Sequence, residues 1–332
     1  MDGGRPPHRP ARAQALNRLG FAVKVVGREG YKANDARRWQ SGPHLRVSLE
    51  YLDRIFDYLD EIDIRMYRIS SDIAPYVTHP DMPQFHNQID ECRDELAALG
   101  AKARRLELRL SMHPSQYIVL NSPDERIAAA AVHDFAYHAD FLDGLGLDSD
   151  AKIVTHVGGV YGDRRSAMDR WVRAFEELPE KVRRRLVLEN DEVSWPVVDT
   201  VAIHRRTAVP LVFDNLHHAV LNPAGIPEDE ALRACVTSWP EGEMPKIHFS
   251  TQRVAEREVT RRVRSTGEKQ TALQAAKPGQ HDDYIDAGQF FAFLRRSEGL
   301  RFDVMLEAKQ KDRALLALRE ALVGNGLAYR MW

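Results

Sequence analysis

Eight short apolar runs recur along the chain, each followed by a longer stretch of helical character, and this alternation restricts the fold more than any other feature. The runs are Leu19–Val25, Met66–Ser70, Leu108–Met112, Lys152–His156, Leu186–Glu189, Leu211–Asp214, Lys246–Phe249 and Asp303–Leu306. Between them apolar residues return every three or four positions, as in Leu49, Leu52, Ile55, Phe56 and Leu59, the mark of a helix with one buried stripe. A second segment of this kind, with Phe135, Phe141, Leu142 and Leu145, runs into Gly144 and Gly146, where glycine relieves the left-handed backbone of a helix end. Parallel strands covered on both faces read as nearly unbroken apolar runs, and KIVTH, LVLEN and LVFDN do so. Strict succession of eight strand–helix units predicts an α/β fold, a single (β/α)₈ TIM barrel over residues 16–325, with its active site at the C-terminal ends of the strands. Residues 1–15, rich in Arg and Pro, are expected to be a disordered arm, and 251–280 a long insertion loop within the barrel.

The 332 residues carry a formal net charge of -2, so any surface for a polyanion must be a local patch. The 251–280 segment offers one, with Arg253, Arg257, Arg261, Arg262, Arg264, Lys269 and Lys277. The two cysteines, Cys92 and Cys235, cannot found a disulfide framework and read as small buried apolar side chains, which points to a reducing cytosol. No apolar run approaches the ~20 residues that span a bilayer. The N-terminal segment lacks the apolar core of a secretory signal. A cytoplasmic protein without membrane contact is the expectation.

In a parallel barrel all strand C-termini meet at one mouth, and six expected strands in succession end in His113, His156, Glu189, Asp214, His248 and Glu307. Carboxylates crowded there repel one another and lose hydration, a cost that divalent cations offset. Further candidate ligands are His217, three residues past Asp214, and His281 in GQHDDY. His218 should project elsewhere, and His79, on the connection after the second strand, is a candidate for a catalytic role. Imidazole and carboxylate donors without thiolate suit Mn²⁺, Zn²⁺ or Fe²⁺. So many ligands exceed the need of one ion, so two or three ions are implied, with Glu189 the first choice for a bridge. Such a cluster generates hydroxide and neutralises a leaving oxygen, chemistry suited to in-line attack on a phosphodiester. Lys246 precedes His248 by two residues, so both side chains face the same side of a strand. An ammonium beside dications is unfavourable; Lys246 is neutral, masked by a carboxylate, carries a carbamate, or reaches past the ions to a phosphate.

The strings RLSMHPSQYIVLNSPD (109–124), THVGGVYG (155–162), LENDE (188–192), FDNLHHAVLNP (213–223), PKIHFSTQ (245–252) and MLEAKQKD (305–312) resemble the UV damage endonuclease family. The match runs in order over roughly residues 17–312. That family is a TIM barrel related to the endonuclease IV type of apurinic-site nuclease. The resemblance implies incision of duplex DNA immediately 5′ to a UV photoproduct, leaving a 3′-hydroxyl and a 5′-phosphate. It also implies about three divalent ions, commonly Mn²⁺, held by His113, His156, Glu189, Asp214, His217, His248, His281 and Glu307, and an N6-carboxylysine at Lys246. Glu189, Lys246 and His79 are then the candidate catalytic residues. Gln116 and Tyr117 look like the family's wedge, an amide and a ring that replace lost pairing and stacking while the damaged pair is extruded. Arg261 and Arg262 are candidates for DNA contacts. The sequence departs from the family after the first strand, where LGFAVKVVG (19–27) replaces a Tyr-Pro-Cys-x-Asn-like stretch; Phe21 is left as the candidate aromatic, with no polar counterpart. The expected partner is double-stranded DNA carrying photoproducts, bound by a monomer in the cytoplasm (at the nucleoid of a bacterium, or in the nucleus or an organelle of a eukaryote).

Two other readings compete. A metal-dependent sugar isomerase would need fewer histidines and a closed polyol pocket instead of a Gln-Tyr wedge. A noncatalytic damaged-DNA-binding protein would keep the barrel and use metals structurally.

Overall fold

All eight expected runs contribute a strand in the computed structural model, which describes residues 17–262 and 267–326; the expected arm, 1–15, lies outside the described residues. In chain order the strands are β1 (Leu19–Ala22), β2 (Met66–Ile69), β3 (Arg109–Met112), β4 (Lys152–Thr155), β5 (Leu186–Glu189), β6 (Leu211–Val212) and β7 (Lys246–Phe249). A two-stranded antiparallel ribbon, β8 (Arg257–Arg262) and β9 (Lys269–Gln274), follows before β10 (Asp303–Leu306). The spatial order β6-β5-β4-β3-β2-β1-β10-β7 is parallel throughout, with helices covering the connections, a nearly closed TIM barrel. β1 stops at Ala22, short of Val25, because Val23 takes φ 67°, a left-handed backbone that a β-branched residue rarely adopts and that ends the strand.

Alternation along each strand decides which side chains enter the cylinder. Ala22, Met66 and Met305 pack together on one side of the interior, and Val154, Val187, Val212 and Trp239 on the other. Gly20 is required in β1 because a Cβ there would lie 2.7 Å from Cγ of Met66. Residues of opposite parity, such as Leu19, Phe21, Leu110 and Ile153, join the helices in the main core. Cys92 and Cys235 are buried and unpaired, as expected. Among the described residues no helix is long and apolar enough to cross a membrane.

Charges close the bottom of the barrel. Asp303, with no exposed surface, accepts the backbone N–H of Arg18 and Nη1 of Arg109, each at 2.7 Å. Lys152 pairs with Glu243 at 2.7 Å, and Arg109 and Lys152 both lie over the Trp239 ring. The seam between β6 and β7 is thin: the bridge Asp214↔His248, with a bond from His248 N to Phe213 O of 2.9 Å, is followed by the Asn215 amide, which accepts from Ser250 N at 2.8 Å and donates to Ser250 O at 3.1 Å. Lower down, Leu211 N donates to Ser238 Oγ and Trp239 Nε1 donates to Leu211 O, both at 2.8 Å, so side chains satisfy backbone groups that a neighbouring strand would otherwise take.

The 251–280 segment, expected to be a loop, pairs Arg257 with Gln274 through Arg262 with Lys269 in one continuous register. Its two faces are both polar apart from Val259, Ala272 and Leu273, so it lacks the apolar alternation by which strands are read; its own ladder and a 2.9 Å bond between the Thr260 and Thr271 hydroxyls hold it.

Candidate metal centre

Six strand-end groups and His217 converge on the mouth, and Glu189 is their hub. Its Oε2 lies 3.0 Å from Nε2 of His113 and 3.6 Å from Nε2 of His156; its Oε1 lies 2.8 Å from Nδ1 of His248 and 3.6 Å from Nδ1 of His217. The four imidazoles arrive from the ends of β3, β4 and β7 and from the short helix Asn215–Val220 after β6. Glu307, at the end of β10, stands 3.4 Å from His248 and 3.7 Å from His281, and ion-pairs with Arg68 of β2. Three ligand groups result, His113–His156–Glu189, Glu189–Asp214–His217 and Asp214–His248–Glu307, with the donor atoms of each within 4.8 Å of one another. Glu189 and Asp214 each belong to two of them, the geometry of bridging carboxylates.

Hydrogen bonds aim these side chains. His113 Nδ1 donates to Pro114 O at 3.0 Å and His217 Nδ1 to Asn190 O at 2.9 Å, which turns Nε2 of each ring toward the mouth, with a free lone pair on the neutral His113. For His113 that lone pair meets the Glu189 carboxylate at 3.0 Å, an arrangement of two acceptors that only a proton or a cation between them relieves. Asn190 grips Asp214 from both sides, accepting its N–H at 2.9 Å and donating to its carbonyl at 3.1 Å. Buried His156 Nδ1, His248 Nε2, Asp214 Oδ2 and Lys246 Nζ have no partner, so the donor set is incomplete without a further group.

Electrostatics agree. Burial pushes the Glu189 carboxyl up, but the imidazoles of His248, His156 and His113 outweigh it and hold it well below the usual carboxylate range. Burial likewise opposes Glu307, yet Arg68 and His248 hold it low. Asp214 is raised by burial and by the neighbouring Glu189 and Glu307. Burial pulls His113 down to about 4, leaving it neutral, the ligand form. Burial disfavours charge on His217 too, but Asp214, Glu189 and Glu192 drive it up to about 10, so the carboxylates hold a proton where a divalent ion would also be held.

Other sequence-derived candidates fall differently. His218 turns away to the carbonyl of Ile226 at 3.0 Å, as expected. His79 stands outside the three ligand groups, its Nδ1 accepting the N–H of Asp81 in a local turn. Gln116 and Tyr117 occupy the tip of a turn closed by Ile118 N to Ser115 O at 2.9 Å, with Tyr117 79% exposed. Phe21 must be corrected: it is wholly buried, on the helix side of β1, with its ring 5.4 Å from that of Tyr67, and has no surface to offer DNA. Strand parity is the reason, since Gly20 and Ala22 take the interior positions. Arg262 is exposed on the ribbon, and the side chain of Arg261 lies outside what the structure describes. Lys246 shares the interior face with His248, 1% exposed, below the candidate ligands.

Sequence reading passed over Arg68, although its parity with Met66 marks a charge inside an apolar strand. It also passed over Trp39, 47% exposed on the β1 connection. Trp39, Tyr117, Tyr161, Val193 and Tyr284, all substantially exposed, lie on connections that leave strand C-termini. The mouth thus presents a broad face with protruding apolar groups.

The UV-endonuclease UvdE family profile matches residues 45–327. The chain belongs to the UV-endonuclease family. A UV DNA damage endonuclease of Bacillus velezensis is similar to it, 35% identical over 273 residues that cover 81% of this chain and 78% of the relative. The SacUVDE crystal structure, 31% identical, superposes with a TM-score of 0.79 over 93% of this chain and 99% of its own. An L-ribulose 3-epimerase, 16% identical with a TM-score of 0.56 over 94% of this chain and 95% of its own, shares the barrel alone. In this UV-endonuclease barrel, residues 19–44 stand outside the matched region, in keeping with the divergent β1 connection.

Proposed function

We propose that the chain is a metal-dependent DNA repair endonuclease that nicks the damaged strand of duplex DNA immediately 5′ to a UV photoproduct, leaving a 3′-hydroxyl and a 5′-phosphate. The observation that carries this reading is the convergence of four imidazoles on one buried carboxylate, Glu189, at an open mouth. His113, His156, Glu189, Asp214, His217, His248, His281 and Glu307 would hold divalent ions, three in number and Mn²⁺ by preference, with Zn²⁺ or Fe²⁺ as substitutes; the three overlapping ligand groups support that count. Bound there, such ions would lower the pKa of a water and offset charge on the leaving oxygen. Arg68 keeps Glu307 anionic and oriented, and Asn190 fixes Asp214 and His217. The exposed Gln116–Tyr117 turn enters the stack at the lesion, where weakened pairing lowers the cost of extrusion. The enzyme acts as a monomer wherever its host keeps DNA.

Lys246 serves the same centre as a carbamate. Its buried Nζ has no partner. Burial, then Arg109 and Arg68, hold the amine well below its usual range, which favours the neutral form whose lone pair adds to the carbon of carbon dioxide with release of a proton. The resulting anion would supply the partner that Arg109 and Arg68 favour. Intact-mass measurement under mild, bicarbonate-containing conditions should show the mass of one carbon dioxide, lost in a Lys246→Met chain; an unmodified mass throughout refutes the assignment.

UV-irradiated supercoiled plasmid tests the function. With Mn²⁺ we expect nicked circles whose ends a polymerase extends directly, and neither EDTA-treated protein nor unirradiated plasmid should yield them. Retention of irradiated plasmid without nicking overturns the enzyme reading. For the wedge, Tyr117→Ala should lower the preference for irradiated over unirradiated duplex by about tenfold, an aromatic–base stack being worth ~1–3 kcal/mol, while bound metal stays unchanged. An undiminished preference removes Tyr117 from that role.

A further inference from the structure

The ribbon β8–β9 takes no part in the ligand set, yet it is rooted beside it. Gln252 and His281 form an antiparallel bridge, Arg253 N donates to Gln280 O at 2.7 Å, and Gln252 bonds both Lys277 O (2.9 Å) and Gly279 N (2.8 Å). The base is therefore stitched firmly to a candidate ligand, while the described strand residues beyond it are exposed, apart from the half-buried Val259 and Gln274. From Arg253 to Lys277 the sequence has seven Arg or Lys against three Glu, in a chain whose net charge is -2. In the barrel order β3 and β7 are four strands apart in either direction, so the Gln116–Tyr117 turn and the ribbon stand on opposite sides of the mouth.

Resting on the nuclease reading above, we infer that the ribbon is a second grip on DNA, holding the sugar-phosphate backbone of the duplex across the mouth from the wedge. Six-residue strands extend about 20 Å, comparable with the width of a duplex, and a two-stranded ribbon is a shape the major groove admits. The register distributes donors over both faces: Arg257, Gln270 and Gln274 on one, Thr260, Thr271, Arg262 and Lys269 on the other. Charged and amide donors without aromatic anchors suit phosphates, which fix position without reading sequence, and poorly suit a protein partner. The wedge then discriminates, and the ribbon supplies affinity for any duplex.

The test uses the full chain with Arg257, Arg262 and Lys269 all changed to Gln, and labelled duplexes with and without irradiation, in EDTA so that neither is cut. Every cation removed from a phosphate should flatten the slope of log K against log[salt] by about one. We expect a slope shallower by about two to three and an equal weakening of both duplexes, about tenfold or more near 0.15 M salt. Unaltered slope in the triple variant, with normal binding by the unaltered chain, overturns the ribbon assignment and leaves the nuclease reading standing. Loss of lesion preference at constant slope also overturns it, because the ribbon would then sense damage. If the unaltered chain binds neither duplex, both readings fall. An unchanged melting temperature of the triple variant confirms that the barrel persists.

Discussion

A Glu189→Gln chain should lose nicking of irradiated plasmid by about a thousandfold or more while keeping its affinity for the damaged duplex within a few-fold. The reason lies in how the two carboxylate oxygens are shared. Each faces two imidazoles, Oε2 those of His113 and His156, Oε1 those of His248 and His217. An amide of the same shape has one oxygen fewer and no charge, so it cannot bridge two cations, and its NH₂ faces rings whose lone pairs would otherwise bind them. The measurement pairs initial nicking rates at saturating Mn²⁺ with metal content and duplex affinity. Nicking within tenfold of the unaltered chain, with full metal content, would remove Glu189 from the centre of the mechanism.

Asp303→Ala should lower the unfolding free energy by about 3–5 kcal/mol, read as a shift in denaturant midpoint. Asp303 has no exposed surface and Arg109 is 6% exposed, so the substitution takes from a buried guanidinium the more deeply buried of its two carboxylate partners, leaving only the half-exposed Asp150 at 2.9 Å. It also leaves Arg18 N without its 2.7 Å acceptor. Replacing both Asp303 and Arg109 by Met should recover much of the loss, since an apolar pair of similar bulk carries no buried charge. A single variant that loses less than about 1 kcal/mol would show that Asp150 alone satisfies the Arg109 cation in the floor.

How far the sequence spoke depends on which periodicity carried each message. β5, β7 and β10 begin and end where their apolar runs do, and His113, His156, Glu189, Asp214, His248 and Glu307 come together at the mouth, because a parallel barrel turns chain position into spatial position. Those runs therefore exposed the cluster of imidazoles and carboxylates in advance. Phe21 was misread because the parity of β1 was not weighed: the small residues Gly20 and Ala22 announce the crowded interior, so the bulky ring between them must point to the helices. Arg68 escaped for the converse reason, a charge hidden inside MYRIS. The ribbon left no apolar trace, since neither of its faces is buried. Long-range partners, such as the grip of Asn190 on Asp214 or of Asp303 on Arg109, are set by three-dimensional register and have no one-dimensional signature.

The seam between β6 and β7 gives the barrel an unusual clasp. Its bridge is made by Asp214 and His248, two of the groups that would bind the ions, so completing the cylinder and completing the ion nest are a single event. A molecule in which these two staves have not met therefore lacks the assembled nest. Once the staves meet, any ion captured there would tighten the hoop, and its binding affinity would add to the stability of the whole cask.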